Sequence, residues 1–121
     1  SQEEKISVAL NLLAEAESGE DFTPRYTNHN ATEYVQIDLN SHLWGVENIL
    51  ANFYRDKDTE KHNYYKNKRD TRKQLIEKYC YNEETKVYAD YNFVTKKTNK
   101  IVCVASFMPY FYGFAKQNGK D

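Results

Sequence analysis

The chain has 121 residues, with 18 acidic and 17 basic side chains and a formal net charge of −1, which is enough for one small domain. This balance provides no basic field for a phosphate backbone, so we expect no nucleic-acid partner. No signal peptide is recognisable and no apolar run is long enough to cross a bilayer, so we predict no membrane partner and take the cytoplasm as the default compartment.

The first predicted element is a helix over residues 3–16. Ile6, Leu10 and Leu13 recur at helical spacing, and Ser18-Gly19 should end the helix because glycine is the usual terminator. Residues 17–37 have no clear period and predict a loop of about 20 residues, a length that is usually functional or disordered. Its aromatic side chains argue against disorder. We therefore expect this loop to carry chemistry.

Two helices of different character follow the loop. Asp38 is a suitable N-cap for the second helix. Its apolar stripe consists of Leu39, Leu43, Val46, Leu50 and Phe53. Asp58 should cap a third helix that runs to about Tyr79 and has few apolar residues. Such a polar helix is expected on the outside of the fold.

The C-terminal third combines aromatic strand residues with an apolar run. Residues 81–85 predict a turn and residues 87–94 a short strand, whose partner is either the segment 97–102 or lies outside the chain. Residues 101–115 are nearly all apolar and predict a buried core helix, with a kink or a late start at Pro109. A helix that is apolar all round needs partners on every side, so more protein is expected to pack here. We find no internal repeat.

Cysteine and histidine spacings give no sign of a metal or redox site. Cys80 and Cys103 are in no CxxC or Cys/His spacing and are predicted to be buried free thiols. The three histidines show no ligand spacing either. We therefore predict no metal and no cofactor.

The loop opens with the sequence AESGEDFTPRY at residues 16–26, in which three carboxylates fall within residues 17–21 and Arg25 follows. Close carboxylates repel, and burial raises the pKa of at least one of them. A carboxylic acid that remains protonated near neutral pH can donate a proton to a glycosidic oxygen. Gly19 would let the backbone approach a ligand closely. By itself, however, this pattern is more typical of an ordinary surface loop.

Four segments resemble the trehalase family of glycoside hydrolases. The segment at residues 16–26 resembles the family pattern AESGWDFSSRW, and IDLNSHL at residues 37–43 resembles VDLNALL. YCYNEETKVYADY at residues 79–91 resembles YLWDEEKGFYFDYD, and ASFMPYFYG at residues 105–113 resembles AAFFPLWAG. The four occur in family order and at family-like spacing. The chain therefore resembles glycoside hydrolase family 37 and related glucosidases.

The resemblance implies an all-α fold, a segment of an (α/α)6 toroid. Residues 1–121 would form a single partial catalytic domain of about four helices plus a short β-hairpin, incomplete as a barrel. The family's general base lies downstream of the part that these residues match. The resemblance therefore implies a fragment of a longer enzyme, inactive by itself, with the remainder of the catalytic domain as its partner.

The resemblance also implies an inverting α-glycoside hydrolase whose partner is a carbohydrate, an α-glucoside or a disaccharide. The general acid of the family maps onto Asp21, and Gly19, Glu20 and Arg25 are candidate substrate-binding residues beside it. Pairing of Arg25 with a neighbouring carboxylate is an alternative to substrate contact. Glu20 stands where the family has tryptophan, so the glycosidase class is better supported than the sugar. The alternative is a non-catalytic helical module, sugar-binding or scaffolding, derived from such an enzyme.

Overall fold

The computed structural model describes residues 1–20, 23–26 and 28–117 of the chain. The helices in these ranges are α1 (Gln2–Glu17), α2 (Ile37–Tyr54), α3 (Thr59–Tyr79) and α4 (Met108–Phe111). The strands are β1 (Tyr34–Val35), β2 (Tyr81–Asn82), β3 (Val87–Tyr88), β4 (Tyr91–Asn92) and β5 (Lys97–Thr98). Short 3-10 helices occupy Pro24–Tyr26, Ala31–Glu33 and Val104–Phe107. The described fold is thus helical, with small antiparallel sheets.

Helix α1 confirms the predicted first helix and its end. The side chain of Ser1 accepts a hydrogen bond of 3.1 Å from the backbone N–H of Glu4, which satisfies one of the free amides of the first turn. Ser18 is the C-cap, and Gly19 follows with φ +72°. This left-handed conformation is easily reached by glycine, and it turns the chain out of the helix.

The predicted cap of α3 is confirmed, whereas the predicted cap of α2 is wrong. Asp58 accepts a hydrogen bond of 3.0 Å from the N–H of Lys61, as an N-cap should. Helix α2 instead begins at Ile37, after Gln36, so Asp38 lies in its first turn. The free N–H of Ile37 is bound by the carboxylate of Asp90, 2.9 Å away and 53 residues further along the chain. The backbone amide at the start of α2 is therefore capped by the distant Asp90 and not by the nearby Asp38.

Helix α2 packs on α3 and α4 through small side chains. Its buried residues include Ser41, Gly45 and Ala51. A Cβ atom at Gly45 would lie 2.5 Å from the Tyr112 ring, so glycine allows this close approach. The predicted apolar stripe lies on another face, and Leu39, Leu43, Val46 and Phe53 remain exposed.

The apolar run at residues 101–115 does not form the single buried helix that its composition predicted. A 3-10 turn, Val104–Phe107, comes first, and α4 starts at Met108 with Pro109 in its first turn. The predicted late start is therefore found, because proline has no N–H and its ring clashes with a preceding helical turn. Burial was predicted wrongly in part, since Val104 is 72% exposed and Phe111 77%.

The predicted strand at residues 87–94 is two strands that belong to different sheets. Strand β3 pairs antiparallel with β2, whereas β4 pairs with β5 on one side and with β1 on the other. The predicted partner near residues 97–102 is thus confirmed at Lys97–Thr98. The pairing of β4 with β1 connects the hairpins to the long loop.

The two hairpins share one turn, which repeats after ten residues. Asn82 and Asn92 each accept hydrogen bonds from the backbone amides two and three residues further along, at 2.9 to 3.1 Å. Lys86 and Lys96 then adopt the left-handed conformation, with φ 60° and 58°. The sequences YNEETK at 81–86 and YNFVTK at 91–96 are therefore a short repeat, and the prediction of no internal repeat is wrong.

The core of the described residues is small. Its buried cluster comprises Ile37, Ile76, Cys80, Tyr81, Tyr88, Ala105 and Phe114. Both cysteines are free; Cys80 is buried as predicted, and Cys103 is only half-buried. The accessible surface is 8235 Å², whereas a compact monomer of 14.3 kDa would have about 6,800 Å². The chain thus exposes more surface than a closed globule of its mass.

Candidate functional site

Three of the four motif segments meet at the side chain of Arg25. This residue lies on the 3-10 turn Pro24–Tyr26 and is 1% exposed. Asp38 approaches it from the first turn of α2, and Asp90 approaches it from the segment between β3 and β4. Glu20 approaches from the start of the loop. We call these four residues the Arg25 cluster.

Each nitrogen of the guanidinium contacts a carboxylate. Nε and Nη2 donate to the two oxygens of Asp90 at 2.6 and 2.8 Å. Nη2 and Nη1 donate to the two oxygens of Asp38 at 2.8 and 3.1 Å. Nη1 also forms an ion pair of 3.2 Å with Glu20. Two bidentate pairs on one guanidinium form a rigid junction, because the planar fork matches the carboxylate geometry.

The charges in the Arg25 cluster stabilise one another despite their burial. Burial acts against the charged form of Arg25, but hydrogen bonds to Asp90 and Asp38 outweigh it and hold the pKa of Arg25 above its ordinary value. Burial likewise opposes the ionised form of Asp38, yet the guanidinium lowers the pKa of Asp38 below its ordinary value. Three carboxylates share one guanidinium here, so the cluster carries excess negative charge.

Asp90 binds a backbone amide as well as the guanidinium, although its position in the sequence did not predict this role. Its side chain is 3% exposed and also accepts the N–H of Ile37 at the start of α2. Its backbone carbonyl accepts a hydrogen bond of 2.7 Å from the N–H of Asn99, whose side chain donates to the carbonyl of Arg25 at 3.3 Å. An aspartate directly after an aromatic strand is only a weak sequence signal of such a role. Nothing in the sequence indicated that Asp90 pairs with Arg25, which lies 65 residues away.

The structure places two of the four predicted site residues in the cluster. Arg25 and Glu20 contact each other, whereas Gly19 is exposed, and a side chain there would meet no atom within 4 Å. The predicted general acid, Asp21, lies outside the described residues. Its neighbour Glu20 is fixed through its backbone, because its N–H donates to Ser18 Oγ at 3.2 Å and its carbonyl accepts from Thr23 Oγ1 at 2.9 Å.

A groove of about 590 Å³ lies elsewhere, beside α3. Its walls include Arg72, Tyr79 and Tyr91, and Arg72 there binds Glu47 and Asn40 across the α2–α3 contact. Gly19, Glu20 and Arg25 do not line it. None of the described predicted site residues therefore lines the cavity, and we place the candidate site at the loop.

The remaining observations concern metals and membranes. Among residues 1–20, 23–26 and 28–117, no cluster of three or more histidine, cysteine, aspartate or glutamate side chains could hold a metal ion. Within the same ranges, none of the helices combines the length and the apolar character that crossing a membrane requires.

Comparison with known proteins gives one consistent result. The family model described as "Trehalase" matches residues 2–121. A trehalase of Dictyostelium discoideum is 31% identical over 121 aligned residues, which cover 92% of this chain and 20% of that protein. A putative periplasmic trehalase of Escherichia coli O157:H7 is 29% identical, covering 89% of this chain and 21% of that protein. The periplasmic trehalase of Escherichia coli strain K12 / DH10B is also 29% identical, with 89% and 20% covered. The chain thus spans about one fifth of the length of these relatives.

Proposed function

This chain belongs to the trehalase family, and from that premise we propose that it is part of the catalytic domain of a glycoside hydrolase acting on an α-glucoside. The observation that carries the proposal is the match over residues 2–121 together with the meeting of three motif segments at Arg25. Segments that are far apart in sequence but share one buried junction are expected where a fold must hold a site rigidly. The names of the relatives make trehalose the first substrate to test.

We propose Asp21 as the general acid. Its position in the motif at residues 16–26 supports this role, as does the ion pair between its neighbour Glu20 and Arg25, which fixes the flanking chain. The protonated carboxyl group would donate its proton to the glycosidic oxygen as the bond to the anomeric carbon breaks. An inverting reaction also needs a carboxylate base about 6.5–9.5 Å away that activates water on the opposite face of the sugar. We propose that this base belongs to another part of the longer protein.

The candidate substrate-binding residues divide into two kinds. Gly19 leaves exposed backbone at the start of the loop, where a sugar hydroxyl could reach it. Arg25 is buried, and all its nitrogens contact carboxylates, which favours holding the loop over touching a sugar. Glu20 is 24% exposed and retains some access to a ligand. We therefore keep Gly19 and Glu20 as sugar contacts and propose a supporting role for Arg25.

We propose that these residues form one segment of an (α/α)6 toroid. The pairing of the apolar-striped α2 with the polar α3 supports this, since an inner and an outer helix would have these characters. The uncovered stripe of α2 and the excess accessible surface support the packing of further protein on this chain.

The relatives named periplasmic make an exported location a second candidate for the compartment, beside the cytoplasm.

The test is hydrolysis by the full-length gene product. The purified protein is incubated with α,α-trehalose and a panel of other α-glucosides, and the products are followed by proton NMR before mutarotation. Inversion at one anomeric carbon of α,α-trehalose gives equal initial amounts of α- and β-glucose, which is the expected result. Initial release of α-glucose alone would contradict inversion, and no hydrolysis of any α-glucoside would contradict the enzymatic proposal.

The second candidate is a non-catalytic helical module that binds sugar or serves as a scaffold. One observation favours it: Glu20 replaces the tryptophan of the family motif and is engaged by Arg25. Calorimetry of the 121-residue chain with trehalose separates the two cases. Tight binding by this chain alone would support a self-sufficient module, whereas absence of binding together with hydrolysis by the full-length protein supports the enzyme.

A further inference from the structure

The groove of about 590 Å³ beside α3 has the size of a small-molecule site. Tyr64 and Tyr79 both line it. They lie fifteen residues apart on the same helix, which places them about 22 Å apart along its axis. The groove is therefore long enough for a ligand that is more extended than a disaccharide.

Tyrosine rings line both ends of the groove. Tyr64 is 54% exposed at one end. At the other end, the ring centroids of Tyr79 and Tyr91 are 4.9 Å apart, and the half-exposed Leu75 adds aliphatic surface between the two ends. A tyrosine side chain offers a flat apolar face and a polar hydroxyl, which suit the C–H face and the hydroxyl groups of a pyranose ring.

Arg72 provides a fixed polar group in the wall of the groove. Its Nε and Nη2 bind the carboxylate of Glu47 at 2.8 to 3.1 Å, and its Nη1 donates to Asn40 at 2.8 Å. Each terminal nitrogen carries a second N–H, for which the described residues provide no partner. Glu47 is buried, whereas 27% of the Arg72 side chain remains exposed. The guanidinium is thus oriented in advance to donate hydrogen bonds to a ligand.

The polar lining favours a sugar over an apolar helix as the occupant. The exposed side chains of Asn67, Lys68 and Thr71 also line the groove. An apolar helix would bury these groups and the remaining N–H groups of Arg72 without hydrogen-bond partners, which costs free energy. Sugar hydroxyl groups would satisfy them, because each hydroxyl both donates and accepts. Since Glu47 compensates the charge of Arg72, a neutral ligand fits better than a strongly anionic one.

We propose that the groove along α3 is an accessory binding site for a neutral oligosaccharide longer than trehalose. Its sugar rings lie against Tyr64 at one end and against Tyr79 and Tyr91 at the other, with Arg72 donating hydrogen bonds between them. Trehalose reaches only one end of the groove and should bind there weakly. This site goes beyond the function proposed above, because it binds without cleaving and involves no step at Asp21.

The experiment is calorimetric titration of the full-length protein with maltotetraose, an α-linked tetramer of glucose. An Asp21→Asn background suppresses turnover during the titration if the proposed function holds. In that background, Tyr64→Ala should raise the Kd for maltotetraose about 10-fold, through loss of a ring contact, and Asn67→Ala about 5-fold, through loss of a hydrogen bond. Asn63→Ala is the matched control, because Asn63 is also an exposed asparagine of α3 but does not line the groove.

A second measurement separates the groove from the catalytic site. With Asp21 intact, Tyr64→Ala and Asn67→Ala should leave kcat and KM for trehalose at their wild-type values. A rise in KM that matches the rise in Kd would mean that the groove belongs to the catalytic site, and the accessory role would be wrong.

The remaining outcomes are also decisive. Absence of maltotetraose binding, or the same Kd in all three variants as in the parent protein, would overturn the accessory site. If another part of the full-length protein fills the groove, Tyr64→Ala should lower the urea midpoint while no oligosaccharide binds, which overturns the site as well. Continued glucose release in the Asp21→Asn background would instead count against the proposed general acid and leave the comparison of Kd values at the groove standing.

Discussion

Arg25 and Asp90 form two hydrogen bonds, of 2.6 and 2.8 Å, between residues that lie 65 positions apart in the sequence. The same carboxylate accepts the first free N–H of α2, at Ile37. One buried pair thus connects the motif loop, a helix start and the β-hairpins. The local structure around the proposed site depends on this pair, and it can be tested directly.

Replacing Asp90 with asparagine should destabilise the protein strongly. The amide side chain would keep the shape of the carboxylate but has only one acceptor oxygen, so it cannot accept both hydrogen bonds that Arg25 donates to Asp90. A hydrogen bond to a charged group contributes about 1.5–3 kcal/mol, so the loss of one of them should lower the unfolding free energy by about that much. Urea unfolding of the Asp90→Asn variant measures the effect. The matched control is Asp70→Asn on the exposed face of α3, where no measurable change is expected; equal midpoints for the two variants would contradict the role of Asp90.

Asp38 should make the stability depend on acid pH. Burial opposes its ionisation, but Arg25 holds its folded-state pKa below the ordinary value of 3.8. The unfolded state therefore takes up a proton first as the pH falls, and the stabilisation is complete above the ordinary pKa and is lost as the pH falls through the folded pKa. The difference in unfolding free energy between wild type and Asp38→Asn should accordingly shrink below pH 3.8. A difference that stays constant from neutral pH to about pH 2 would show that this carboxylate does not contribute in the expected way.

Gly45→Ala should destabilise the contact between α2 and the C-terminal segment. Alanine normally favours a helix over glycine by about 1 kcal/mol. At this position, however, the added Cβ would lie 2.5 Å from Cε1 of Tyr112, and Tyr112 also bonds to His42 at 2.6 Å. Overpacking of this kind costs about 1–3 kcal/mol, measurable by thermal or chemical unfolding.

A double-mutant cycle identifies the cause of that loss. Combined with Tyr112→Leu, the Gly45→Ala substitution should cost much less than it does alone, because the clashing ring is gone. Strictly additive effects would mean that the ring of Tyr112 is not the obstacle.

The exposed stripe of α2 should behave as a buried surface in the full-length protein. Leu43 is 39% exposed here, and an exposed position normally tolerates truncation. If further protein covers this stripe, Leu43→Ala should cost about 2–4 kcal/mol, as core truncations do. Lys66→Ala on α3 serves as the exposed control. A loss at Leu43 no greater than at Lys66 would argue against the toroid.

Local patterns in the sequence predicted the elements whose cause is local. Helix α1 with its end at Gly19, the cap at Asp58 and the late helix start near Pro109 all follow from interactions within one turn, and each was found. The ten-residue repeat of the hairpins is also local and is visible in the sequence at Asn82 and Asn92. It was not predicted because each strand is only two residues long.

The features that the sequence could not predict depend on contacts with residues far away in the chain. Asp38 was a plausible N-cap by position, yet Arg25 engages its carboxylate and Asp90 satisfies the helix amide instead. Burial of residues 101–115 was inferred from composition alone, although burial also needs a neighbour to cover them. The resemblance located the motif segments, and only the three-dimensional arrangement showed that three of them share one guanidinium.

The most direct test of the account is the turnover of α,α-trehalose by the full-length protein with Asp21→Asn. Glu17→Gln, an exposed carboxylate at the end of α1, is the matched control. If Asp21 is the general acid, kcat falls about 100- to 10,000-fold in Asp21→Asn and stays near the wild-type value in Glu17→Gln. Wild-type kcat in the Asp21→Asn variant would contradict this role.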